Sequence, residues 1–295
     1  MRSLVSSLSS FNIALLKALL WGVLSILSIW LCLGIGLGEW QRPDLIDPTI
    51  WELRWPRVVV ALIVGAALAV AGATMQALFA NPLADPSLIG TSSGAALGAM
   101  LACGLVLIIH HLLNAGRFGL LIIGFALSAF CGAVVSLILF MSNDMVLRSA
   151  TTWLSGTLSS AGFVPISYAL VTILFGFIIL LPLGRALDIL LLGDEIACTM
   201  GIHVTKVRIF TVIGTAFLTG AAVSLSSGII GFLGMMIPNV VAKFWGGTRS
   251  SIMWKSAGIG ALFLLIVDTC ARHIVYPIDL LVGIVISLLG APFFI

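Results

Sequence analysis

Arg54-Trp55-Pro56-Arg57 sets two permanent cations three residues apart around a proline. In a helix, positions i and i+3 share a face, and a first helical turn accepts proline because its missing N–H has no partner there anyway. Two readings follow. The guanidinium groups snorkel to an interface beside a tryptophan, or they form a cationic docking point for an acidic partner. Further on, residues 76–86 read QALFANPLADP. A glutamine within an apolar run and an Asn-Pro at its end mark a helix terminus whose freed backbone groups must face protein or water. Asn81 and Asp85 are therefore candidates for a gate as well as for a plain turn.

Residues 185–208 form a connection that is long for a helical bundle, with two short amphipathic runs around Gly193 and Gly201. Leu190, Leu191 and Leu192 supply an apolar face. Asp194 and Glu195 stand where the N-terminus of a following helix favours negative charge. A loop with an apolar face of its own docks on something, either interfacial lipid or a protein partner. Asp268 and Arg272, at i and i+4, read as a local ion pair, with Arg272 also able to reach the surface near Arg54 and Arg57.

Missing chemistry excludes several classes. No GxxxxGK[ST] phosphate loop occurs, so the chain does not hydrolyse ATP by that route. There is no HExxH, and His110-His111 and His203 stand apart from other ligands. Ser155-Gly156 does not sit in a GxSxG elbow, and no nucleophile–base pairing can be read. The five cysteines are scattered without CxxC spacing and read as small buried hydrophobes. Carboxylates are scarce inside the apolar runs, which argues against a proton-coupled carrier built on buried Asp or Glu.

The elements that must hold these groups are membrane helices. Apolar residues make up 61% of the chain and charged residues 8%, against about 25% charged in a soluble domain. Such a surface needs lipid as its solvent. At 1.5 Å per residue, about 20 apolar residues cross about 30 Å of hydrocarbon. Charge-poor runs at 18–38, 58–84, 86–116, 118–143, 251–267 and 280–295 each suit one span. Those at 149–184 and 209–242 suit two, breaking near 162–165 and 226–228. The first run is longer than a signal-peptide core and lacks a small-residue cleavage site beyond it. Ten spans place both termini on one side. With the N-terminus inside, the inner segments hold Arg2, Lys17, Arg148, Arg185, Lys206, Arg208, Lys243, Arg249 and Lys255. The outer ones hold Arg42, Arg54, Arg57, Arg117 and Arg272, in the sense of the positive-inside rule. Clusters such as Gly65-Ala66-Ala67 and Gly220-Ala221-Ala222 let helix backbones approach closely.

Several strings occur in order along nearly the whole chain: RWPR at 54–57, GAALAVAGATMQALFANPLADP at 65–86, IGTSSGAALGA at 89–99 and TWLSGTL at 152–158. LLGDEIACTMGIHV at 191–204, GIIGFLGMMIPN at 228–239, Ala271-Arg272 and VGIVISLLGAPFFI at 282–295 follow. With these, the chain resembles the FecCD-type permeases, the membrane subunits of bacterial importers for iron–siderophore, heme and cobalamin. It departs from their pattern at Asn239, where histidine is frequent, at Ala242-Lys243, where an arginine is usual, and at Leu281, where proline is common.

The resemblance implies an all-α polytopic fold of about ten transmembrane helices, the type II ABC importer permease fold, as a single domain over 1–295 in the bacterial inner membrane with both termini cytoplasmic. It implies a second permease, identical or a sister, two ATP-binding cassette subunits, and a periplasmic or lipid-anchored substrate-binding protein. Arg54, Arg57 and Arg272 would pair with glutamates of that binding protein. Leu192, Gly193, Asp194, Glu195, Ala197, Gly201 and Val204 would form a coupling loop seated in the ATPase, and Asn81, Ser142 and Asn143 an inner gate. No catalytic residue, resident metal, cofactor or nucleic-acid partner is expected, since ATP belongs to the partner subunit. The commonest family cargo, an iron–siderophore, is the expected one, with heme, cobalamin or an oxyanion as alternatives. Two readings from other classes remain beside it. A secondary transporter would need buried ionisable groups, and a membrane scaffold would need neither docking arginines nor a coupling loop.

Overall fold

Lipid offers backbone groups no hydrogen-bond partners, so apolar runs resolve into helices that satisfy themselves. The computed structural model describes residues 19–36, 39–86, 104–106, 108–109, 117–159, 161, 166–276 and 278–293. Helix α1 spans Leu19–Gly34 and leads into a minimal antiparallel pair, β1 (Ile35–Gly36) and β2 (Glu39–Trp40), with Ile35 opposite Trp40. Helices α2 (Pro48–Phe79), α3 (Arg117–Phe140), α4 (Asp144–Leu154) and α5 (Ile166–Leu180) follow. A 3-10 turn carries α5 on into α6 (Gly184–Leu190). The remainder is α7 (Asp194–Thr199), α8 (Val204–Leu225), α9 (Leu233–Trp245), α10 (Arg249–Ile274) and α11 (Val282–Phe293).

Five of the described helices are long and apolar enough to cross a membrane: Pro48–Phe79, Ile122–Phe140, Ile166–Leu190, Val204–Leu225 and Arg249–Ile274. The expected break at 226–228 is present: α8 stops at Leu225, Ser227 and Gly228 take positive φ, and α9 begins at Leu233. The expected third span and the turn at 162–165 lie outside the described residues, almost wholly and wholly respectively.

Two boundaries differ from the sequence reading. Helix α2 begins ten residues before the expected span (58 − 48 = 10), at Pro48, so Pro56 lies inside the helix rather than in its first turn. The entry signal is Asp47-Pro48: the Asp47 carboxylate accepts the Thr49 N–H at 2.8 Å, which holds this carboxyl below its usual range, and Pro48 takes the first helical position. Helix α10 likewise runs beyond 267 to Ile274. Charged residues bound an apolar run in sequence, but a helix continues through them when their charges find partners within the protein.

Helix α2 is the axis of the bundle and is buried almost continuously from Val58 to Phe79. Its most extensive neighbour is α10, followed by α8 and α9. Glycine permits both closest approaches: a β-carbon at Gly65 would meet the Gly260 carbonyl of α10, and one at Gly72 would meet Gly234 of α9. Without a hydrophobic driving force between helices in lipid, such backbone contact and interhelical polar pairs carry association. Thr74 and Thr215 supply one such pair, their hydroxyls 3.3 Å apart between α2 and α8, in a class worth about 0.6 kcal/mol.

Candidate functional site

At one end of the bundle the two-arginine segment meets the last turns of α10. Continuation of α2 through Pro56 points Arg54 and Arg57 into protein. Arg54 is buried, and its Nη1 donates to the Leu33 and Gly34 carbonyls at 3.2 and 3.5 Å. These lie in the last turn of α1, where a cation complements the helix dipole; the Gly34 carbonyl also accepts the Gln41 N–H at 2.8 Å. Its Nη2 is buried without a partner, and Gly36 is packed against the guanidinium.

Arg57 forks onto Asp268: Nη2 and Nε donate to its oxygens at 2.9 to 3.2 Å. Its Nη1 donates to Asp279 at 3.1 Å. Asp268 is 1% exposed and also faces Arg272, whose Nε lies 3.4 Å from it without forming a hydrogen bond. The i,i+4 pair read from the sequence therefore exists, but the tighter partner of Asp268 is Arg57, 211 residues away. Three guanidiniums against two carboxylates leave one positive charge in excess. The cluster lines an open cavity of about 400 Å³ together with Leu53, His273 and Tyr276.

At the other end of α10, residues 184–208 fold as two short helices and their turns. Gly193 begins α7 at φ +115° and Gly201 ends it at φ +82°, left-handed conformations that suit glycine. Asp194 and Glu195 occupy the first turn of α7, as the charge argument expects. The apolar residues divide into two sets. Leu187, Leu190 and Ala197 are fully buried and Val204 nearly so, and they anchor the loop on the bundle. Leu192, Ile196 and Met200 are 61%, 47% and 58% exposed and recur every fourth residue, forming a stripe that faces away from it. Ile196 and Met200 were not singled out from the sequence, although their spacing from Leu192 was visible there.

Arg208 holds Asp194 at 2.6 Å. The Asp188 carboxylate accepts the Arg249 N–H at 3.0 and 3.1 Å, and Gly184 lies against Ser250. The loop is thus bolted to the first turn of α10. This link between Asp188 and α10 carries no sequence signal, because it joins residues brought together only by the fold.

The three gate candidates occupy local turns. Asn81 follows Ala80, which closes α2 in a left-handed conformation, and its side chain accepts the Leu83 N–H at 2.9 Å. Ser142 donates to the Ile138 carbonyl at 2.7 Å, and Asn143 caps α4 by accepting the Val146 N–H at 3.0 Å. The end of α2 is also tied to α9: Gln76 donates to the Met235 carbonyl at 2.9 Å, and Asn239 donates to the carbonyls of Pro82 and Met235 at 2.7 and 3.0 Å. Asn239 is one of the positions where the family pattern is not followed, and here its amide pins the turn that carries Asn81. Among the described residues no cluster of His, Cys, Asp and Glu could hold a metal.

Residues 11–112 and 95–295 match the FecCD transport family. The chain is 37% identical over 278 residues to the hemin transport system permease protein HmuU of Yersinia pestis, covering 83% of this chain and 82% of that one. It is 32% identical over 282 residues to the Fe(3+) dicitrate transport system permease protein FecC of Escherichia coli, covering 86% and 84%. A solved structure, an inward-facing conformation of a metal-chelate type ABC transporter, superposes with a TM-score of 0.82 at 30% identity over 93% of this chain and 96% of that one.

Proposed function

The chain belongs to the FecCD transport family, and from that premise we propose that it carries an iron chelate or a related metal complex across the bacterial inner membrane. It is a multi-pass permease subunit of an ABC importer, not an enzyme. The energy comes from separate ATP-binding subunits, on which residues 185–208 dock. One observation carries this reading: the exposed residues Leu192, Ile196 and Met200, on and either side of the short helix α7, backed by buried Leu187, Leu190 and Ala197. An apolar face that is fixed in shape and offered outward suits a protein cleft, and the chain has no phosphate loop of its own. Gly193, Asp194, Glu195 and Gly201 shape that face, and Ala197 and Val204 seat it.

A binding protein delivers the cargo to the opposite end, where Arg54, Arg57 and Arg272 line the cavity with one positive charge in excess. Glutamates of the binding protein would join the half-satisfied arginines Arg54 and Arg272, steering approach and fixing register, while Arg57 keeps its two internal carboxylates. A second permease completes the path against α4, which buries none of its own residues. Asn81, Ser142 and Asn143, at helix termini, are the proposed inner gate, and both termini lie in the cytoplasm. The cargo preference follows the iron and hemin systems among the relatives, with cobalamin and oxyanions as alternatives.

The test is affinity purification of the tagged chain from native membranes in mild detergent, with mass spectrometry of its partners. A stoichiometric ATP-binding subunit, lost when Ile196 and Met200 are made polar, supports the assignment. A chain that purifies alone across several detergents overturns it in favour of a secondary transporter.

A further inference from the structure

On the lipid-facing side of the bundle, α1, α9 and α10 leave a groove of about 560 Å³ that shares no residue with the arginine cluster or the 185–208 loop. Its mouth is rimmed by three exposed tryptophans from three different helices: Trp21, Trp245 and Trp254. Trp21 and Trp245 pack with ring centroids 5.6 Å apart at 57°. Belt tryptophans sit at the headgroup level of a bilayer, which places the mouth at that depth. Within it stands Lys255, half-buried, with its ammonium 3.5 Å from the Gly246 carbonyl. Among the described residues no carboxylate pairs with it, so of its three donors two are available to a ligand.

The floor of the groove is one face of α10. Lys255, Gly258, Ile259 and Leu262 follow at i, i+3, i+4 and i+7, so the surface passes from a cation to a purely apolar strip over about 10 Å. Gly258 leaves the strip open, with nothing within 4 Å of where its β-carbon would stand. A cation and indole N–H donors at headgroup depth, above an open apolar channel, match a lipid bearing a negatively charged phosphate over an acyl chain.

We propose that this groove is a binding site for an anionic phospholipid, its phosphate on Lys255 and one acyl chain along Gly258 and Ile259. The proposal requires only that the chain spans a membrane, and stands whatever its cargo. The groove lies at the Arg249 end of α10, the end to which residues 185–208 are tied, so an occupied groove brings lipid to the side proposed to dock on the ATP-binding subunits.

The experiment uses the full chain in micelles containing equal amounts of phosphatidylglycerol and phosphatidylcholine, with retained lipid counted by native mass spectrometry. The wild type retains phosphatidylglycerol in preference. Lys255→Gln lowers that preference about fivefold, the value of one lysine near an anionic surface, and Lys255→Arg keeps it. Gly258→Leu, whose β-carbon meets no protein atom within 4 Å, blocks the channel and lowers retention of both lipids. Inorganic phosphate added in excess does not displace the lipid, because the acyl chain contributes to binding. Equal retention of the two lipids by the wild type overturns the proposal. So does unchanged preference in Lys255→Gln, or displacement by phosphate alone. Elution and melting in phosphatidylcholine alone establish that each variant is folded, and Lys255→Gln tests the proposal without Gly258→Leu should that variant fail to fold.

Discussion

The two ends of α10 solve opposite problems. At the Arg272 end, charged side chains are drawn inward: Asp268 is sealed between Arg57 and Arg272, and Arg54 answers the carbonyls of α1. At the Arg249 end, apolar side chains are pushed outward on α7, while Asp188 and Asp194 tie the loop in place. A helix of 26 residues joins them, a rise of about 39 Å. Buried charge gives the first end a fixed shape that changes only at high cost. Exposed apolar surface gives the second an affinity that is realised only against a partner. Both are held to the same helix, so a displacement at the loop has a direct route to the arginine cluster.

Breaking the inward end has the largest expected effect. Asp268→Ala leaves Arg57 and Arg272 facing each other without their shared counter-ion, and removing one member of a buried pair costs about 3–5 kcal/mol. The expected result is a large fall in melting temperature of the purified chain. A melting curve like that of the wild type would show the cluster to be solvated. At the outward end, Gly193→Pro imposes φ near −65° where +115° is required and removes the N–H that donates to the Leu190 carbonyl, a cost of roughly 1–3 kcal/mol. Because it falls on the turn into α7, ATP hydrolysis by the assembled importer should continue while uptake fails. Coupled uptake at the wild-type ratio breaks the assignment of the loop.

Ile196→Asp with Met200→Asp removes the stripe without touching the core. Surface changes of this kind alter stability by about 0.5 kcal/mol or less, whereas loss of an interface anchor costs about 2 kcal/mol or more. The variant should therefore melt normally and bind the ATP-binding subunit roughly 30-fold more weakly. Normal binding would place the contact elsewhere. The smallest effect on docking belongs to Arg54→Gln, which should lower the melting temperature modestly by removing the donor to the α1 carbonyls, slow association of the binding protein and reduce its salt dependence. Stopped-flow mixing at two ionic strengths checks it, and an unchanged salt slope would assign docking to other residues.

The helices and the two short turns of residues 185–208 are legible in sequence because their signals are local. Long apolar runs, Gly193 and Gly201 bracketing an acidic turn, and Asn-Pro closing α2 each depend on residues a few positions apart. The arginine cluster was legible only in its members. Charge beside a tryptophan and proline suits a snorkelling interface or a docking point equally, and spacing alone pairs Asp268 with Arg272. What the local view missed was Asp268 taking its principal partner from α2, which allowed both helices to run on past the expected boundaries. The loop hides its two faces for the same reason: Leu190 and Leu192 are two positions apart and equally apolar, yet one is fully buried and the other exposed.

Composition by itself determined that this chain lives in lipid, and the spacing of its apolar runs determined that it does so as helices, because backbone hydrogen bonds in a bilayer must close within the segment. The glycines that bring α2 against α10 and α9 were visible as packing residues without their partners. Tertiary structure alone decided that Gly65 meets Gly260, that Asp188 holds the start of α10, and that Arg57 rather than Arg272 closes on Asp268. Each of these joins groups far apart in the chain, and their energies depend on distance and burial that only the packed bundle supplies.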